Sequence, residues 1–206
     1  MAPKVEDLTD ESRFRHLLTV SYTDIVSFVL DYLRRKTLVT LLFWSVCLIF
    51  LGLAVTVRIN ITGYYELRRI FFHSLLGLIL FPVLIIPFHE LLHIIPYFFS
   101  GARNIRVGID LSQYIFYVTA HRYVASPLQY RLVAITPFII VSIISLFLVF
   151  YLPGLWKWSI SLFLFVHTTM CAGDFAMLNY YQINKHRKIY TWDDADLKEA
   201  YFYEEI

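Results

Sequence analysis

Two histidines four residues apart, with a glutamate between them, are the residues of this chain best suited to chemistry: His89-Glu90-Leu91-Leu92-His93. On a helix, positions i and i+4 share a face, so both imidazoles would grip one metal ion while Glu90, one position along, would take a proton from a bound water. The bland reading is a histidine pair hydrogen-bonding across a bundle, with Glu90 paired to an arginine. A further ligand separates the two readings, because a catalytic zinc keeps three protein ligands and one open position. Asp174 is the expected third ligand, since Cys171-Ala172-Gly173 before it are small and let its helix approach the motif closely. His167 is the rival, seven residues earlier on nearly the same helical face. The bland alternatives are that Asp174 only orients a histidine ligand and that His167 is a satisfied core histidine.

These side chains lie in apolar surroundings. The chain is 58% hydrophobic with mean hydropathy +0.60 over 206 residues, well above the roughly 45 to 50% of a soluble domain. Four stretches are long enough to cross a hydrocarbon core that needs about 20 apolar residues: 37–57, 70–99, 132–156 and 158–183. The first and third carry no charge, so the polar groups concentrate on the second and fourth, which are expected to meet. The fold expected is an all-α integral membrane protein of four transmembrane helices, with a small cytoplasmic β-hairpin between the second and third. Fourteen of the eighteen lysines and arginines fall in segments on one side of this arrangement. That excess predicts cytoplasmic termini and a place in the cell membrane. The net charge of +2, with no basic stripe, argues against nucleic acid as a partner.

The chain divides into three units. Residues 1–36 form a cytoplasmic segment whose Thr23–Leu33 stretch suits an interfacial helix. Residues 37–184 form the transmembrane body, with the hairpin at about 102–125: an alternating run at Asn104–Ile109, turn residues at Asp110–Gln113, and a β-branched and aromatic run at Tyr114–Thr119. Residues 185–206 read as a solvated tail, acidic and aromatic, with six acids in the last fourteen positions. The polar first 36 residues and the long first apolar run argue against a cleavable signal peptide. Cys47 and Cys171, both inside expected spans, read as small core residues. His73 is expected at the membrane interface. Pro82, Pro87 and Pro96 surround the motif and predict a loosened helix there.

The motif at 89–93, the basic hairpin-like stretch, Pro137-Phe138 opening the third span and Gly173-Asp174 in the fourth together resemble the family of small membrane proteins described as putative zincin peptidases, over about residues 70–185. That family is related in style to site-2 intramembrane proteases. The resemblance implies zinc held by His89, His93 and Asp174, with Glu90 as base. The aspartate stands in Ala172-Gly173-Asp174-Phe175, whereas site-2 proteases usually carry Asn-Pro-Asp-Gly or Leu-Asp-Gly. The activity expected is a zinc-dependent intramembrane or juxtamembrane endopeptidase that cuts membrane-associated substrates through Glu-activated, zinc-bound water. Its partners would be the lipid bilayer and a membrane-protein or peptide substrate, the latter held on the hairpin edge by strand addition. The alternative is a non-catalytic zinc-binding membrane scaffold or sensor subunit.

Overall fold

The computed structural model describes residues 3–110 and 115–206. A strand, β1 (Phe14–Ser21), and a short helix, α1 (Ile25–Arg34), precede α2 (Leu38–Asn60). The chain returns through α3 (Leu67–Leu75), a π-helical turn at Leu76–Leu80 and α4 (Phe81–Phe99). Strands β2 (Ile105–Asp110) and β3 (Ile115–Ala120) pair antiparallel, with Ile105 opposite Ala120. The turn expected at Asp110–Gln113 falls, from Leu111 on, outside the described residues. Helix α5 (Pro127–Tyr151) leads into α6 (Gly154–Met170) and α7 (Ala172–Ile183), then β4 (Ile189–Asp194) and β5 (Glu199–Glu205).

The expectation of an all-α bundle with four transmembrane helices and one hairpin is corrected on two counts. The described residues contain five strands in two small sheets, one ordered β1-β5-β4 and one formed by β2 and β3. The acidic stretch after residue 185 is therefore no solvated tail. Its alternation buries Ala200 and Phe202 against Tyr180, Tyr181, Ile189 and Val20. Among the described residues three helical segments, rather than four, are each long and apolar enough to cross a membrane: Leu38–Asn60, Leu67–Phe99 and Pro127–Tyr151. The stretch expected as the fourth span is two helices, α6 and α7, bent by 44°.

That bend has a local cause. The hydroxyls of Thr168 and Thr169 donate to the carbonyls of Leu164 and Val166, and Cys171 Sγ donates to the carbonyl of His167. Such bonds compete with the helical ladder and bend it. The α6–α7 pair then carries the chain back to the sheet, where Asn179 donates to the carbonyls of Tyr32 and Arg35 and ties the end of α1 to α7. Because β1 pairs with β5, from Phe14 opposite Glu205 to Ser21 opposite Glu199, the first and last strands lie side by side.

Lipid-type surface and internal surface fall on different helices. Outward side chains on the three apolar segments, such as Leu41, Ile49, Phe71, Leu84, Ile143 and Phe150, stay more than half exposed. A continuous apolar exterior of this kind is compatible with a membrane protein. By contrast α6 is enclosed by its neighbours, and it buries Ser159, Ser161, His167 and Thr168 completely. His73, expected at an interface, is buried too, with Nδ1 2.8 Å from Ser159 Oγ.

The approach of the π-helical turn to α6 depends on Gly77, where any Cβ would press on the Ser159 carbonyl and on Leu162. Pro82 supplies no N–H to the Leu78 carbonyl, which fits the widened turn just ahead of it. The loosening falls there, while Pro87 and Pro96 sit inside an unbroken α4. Gly77→Val should therefore lower stability by about 2 kcal/mol or more, as overpacking does. Gly52→Ala on α2, where nothing lies within 4 Å of the new methyl, should be neutral or stabilising. Thermal melting of the two variants in one detergent would show the contrast.

Candidate metal centre and cavity

Helix α4 sets the geometry of the motif. His89 and His93 fall on its inward face and are buried, while Leu91 points outward. Their rings lie 5.3 Å apart. Asp174 arrives from α7, with its Oδ2 3.3 Å from His89 Nε2 and its Oδ1 3.6 Å from His93 Nε2. The break at Cys171 makes this possible, because it puts Asp174 in the first turn of a new helix, whose amide dipoles favour a carboxylate.

The far side of each imidazole is also held. His93 Nδ1 donates to the Val133 carbonyl at 2.9 Å, and His89 Nδ1 lies 3.1 Å from His167 Nε2. With a proton on each Nδ1, both Nε2 lone pairs are directed at the Asp174 side. Of the two candidates for a third ligand, then, the structure brings Asp174 between the imidazoles and places His167 behind one of them. His167 and Cys171 do form a second cluster around His89. Both are fully buried, however, and neither borders the cavity that opens beside Asp174.

The donor set fits zinc. Tetrahedral bonds of about 2.0 to 2.1 Å hold neighbouring donors about 3.3 Å apart, which is close to both histidine–aspartate separations. Two imidazole nitrogens and a carboxylate are the ligand types of catalytic zinc, which keeps a fourth position open. A carboxylate oxygen of Glu90 lies within 4.8 Å of a ring nitrogen on each histidine.

The cavity, of about 470 Å³, is lined by His89, Glu90, His93 and Asp174 and also by Tyr22, Thr119 and Asp193. One wall is the second edge of β3. The His121 N–H donates to the Asn104 carbonyl, which continues the β2–β3 ladder by one residue. Alternation of the antiparallel pattern then turns the backbone groups of Phe116 and Val118 away from β2. Both residues line the cavity, and the Glu90 carboxylate faces the Val118 amide.

Residues 82–188, just over half of the chain, match a protein-family model described as putative zincin peptidase. No curated protein and no solved structure matches the chain.

Sequence reasoning misses Asp193 because Trp192-Asp193-Asp194-Ala195-Asp196 looks like a solvated acidic run. The alternation of β4 is the signal that could have found it. It sends Asp193 to the cavity side, while Asp194 caps the turn amides of Asp196 and Leu197. Burial pushes the Asp193 carboxyl up to about 6, opposed in part by the nearby Thr119 hydroxyl. A raised carboxyl contributes stability that is present below the unfolded value near 3.8 and lost as pH climbs through about 6. Asp193→Asn should accordingly raise the melting temperature more at pH 8 than at pH 4.5. A shift of equal size at both values would show that Asp193 titrates as an ordinary surface acid.

Proposed function

Since the chain belongs to the putative zincin peptidase family, we propose that it is a zinc-dependent endopeptidase cutting membrane-associated substrates within or beside the bilayer. The observation that carries this reading is the meeting of His89, His93 and Asp174 at zinc-ligand spacing, with Glu90 beside them, on the wall of a cavity. A non-catalytic zinc scaffold or sensor would have no need of that space.

In this reading His89 and His93 hold zinc through Nε2 and Asp174 holds it through its carboxylate, while His167 and the Val133 carbonyl keep the imidazoles turned inward. Zinc bound there supplies a Lewis acid that polarises the scissile carbonyl and lowers the pKa of water to about 7. Glu90 takes a proton from the water as its oxygen bonds to the carbonyl carbon. It returns that proton to the amide nitrogen as the C–N bond breaks. The outward backbone groups of Phe116 and the Val118 carbonyl pair with an extended substrate, which lipid would otherwise leave unsatisfied. Both termini belong on the cytoplasmic side of the cell membrane, a placement supported by the basic excess in the segments around them and by the β1–β5 pairing that sets the first and last strands side by side.

Reconstituted protein supplied with zinc should cleave a subset of single-span substrates. Glu90→Gln should retain one zinc per chain and lose cleavage by at least about 100-fold. Undiminished cleavage by that variant would remove Glu90 from the chemistry. Metal analysis of the same preparations separates the ligands. His93→Ala and Asp174→Ala should lose bound zinc, whereas His167→Ala should keep it with affinity weakened by about 10- to 100-fold. Full zinc in Asp174→Ala with none in His167→Ala would reverse the assignment.

A further inference from the structure

The hydrolytic steps leave one acid of the cavity unused. Asp193 borders the same space as His89, Glu90, His93 and Asp174, and no basic side chain among the described residues forms an ion pair with it. The other acids of the last fourteen residues are engaged: Asp194 with the Asp196 and Leu197 amides, Asp196 with Arg106, Glu204 with Arg15 and Arg187, Glu205 with Lys188, and Glu199 with the Tyr201 hydroxyl. A carboxylate taken out of water without a partner is costly, and a cation delivered to it recovers much of that cost.

The surroundings suit such a cation. Tyr22, Tyr97 and Tyr130 line the cavity with Asp193, and tyrosine faces attract ammonium and guanidinium groups. The buried Thr119 hydroxyl lies beside both the Asp193 carboxyl and the Tyr22 hydroxyl, in full hydrogen-bond geometry with neither. Thr119, Tyr22 and Asp193 can thus each accept one of the three N–H bonds of an ammonium group. Val20, Ile25 and Met177 offer apolar wall for the methylenes that carry it.

We propose that Asp193 forms a specificity subsite that receives a lysine or arginine side chain of the peptide being cut. Cleavage of the bound peptide rests on the peptidase reading, whereas the selectivity is a property of the cavity itself. The subsite fixes a substrate class: an apolar segment with a basic residue a set distance from the scissile bond.

The test uses zinc-loaded full chain in detergent and peptides of one apolar sequence through which a single lysine, or norleucine in its place, is moved. At one position lysine should be favoured over norleucine by about 10- to 100-fold in kcat/KM, since a site built to hydrogen-bond a group rejects its apolar analogue. Asp193→Asn should bring that ratio close to one, Asp193→Glu should restore most of it, and Thr119→Val should lower it in part. Zinc content, measured on each variant, reports that the metal centre is intact. The same ratio, read as peptide binding to Glu90→Gln by fluorescence anisotropy, needs no turnover. Lysine-selective binding with no cleavage by the wild type would overturn the peptidase reading and leave the subsite standing. Equal cutting or binding of lysine and norleucine at every position, or a lysine preference that survives in Asp193→Asn, would overturn the subsite. Binding of neither peptide counts against both.

Discussion

The approach of one carboxylate to two imidazoles is the constraint around which the molecule is arranged. The His89–His93 pair is buried and Asp174 is half-buried, on two helices, and polar groups drawn away from water are tolerated only when they meet partners. Satisfying them fixes three things at once: the distance between α4 and α7, the rotation of α4 about its axis, and the depth at which the helices face each other. The Val133 carbonyl and His167 extend the constraint to α5 and α6, because each ring must keep its outer nitrogen occupied while the inner one faces Asp174. Four helices are thus registered by one cluster of side chains.

The part of the chain outside the apolar segments completes the site rather than decorating it. The sheet of β1, β5 and β4 packs on α7 through Phe202, Ile189 and Tyr180, and β4 is joined to the residues after β3 by the Ala125–Thr191 and His121–Asp193 bridges. With α1 tied to α7 through Asn179, these elements wall part of the cavity. A chain ending at residue 184 would keep the metal-ligand candidates and lose Asp193 and part of that wall.

Much of the site is legible in the sequence because helix periodicity is a geometric rule. The spacing of His89 and His93, and the small residues before Asp174, hold whatever the rest of the chain does. His167 shows where that logic stops. Its claim as a ligand assumes an unbroken helix from 158 to 183, and the back-bonds of Thr168, Thr169 and Cys171 bend the helix between it and Asp174. The strands are hidden for a different reason. β1 and β5 lie at opposite ends of the chain, so their pairing leaves no local signal beyond alternation, and the acids of the last fourteen residues mask that alternation. Once the pairing forms, Glu204 meets Arg15 and Arg187, and Glu205 meets Lys188.

The division of labour among the helices comes from the same need to satisfy polar groups. The outer faces of α2 and α5, apolar enough for these helices to cross a membrane, are nearly charge-free. α6 has no such face. Enclosed by α2, α3 and α5, it can carry two serines, a histidine and a threonine at complete burial because helix carbonyls and facing side chains satisfy them. Enclosure also explains why the break sits at the end of this helix. The amide and carbonyl groups freed at a bend must be paired internally, and only a helix surrounded by others offers the partners. The bend that spoils a simple crossing is therefore placed where it can be tolerated, and it is the bend that turns Asp174 toward the histidines.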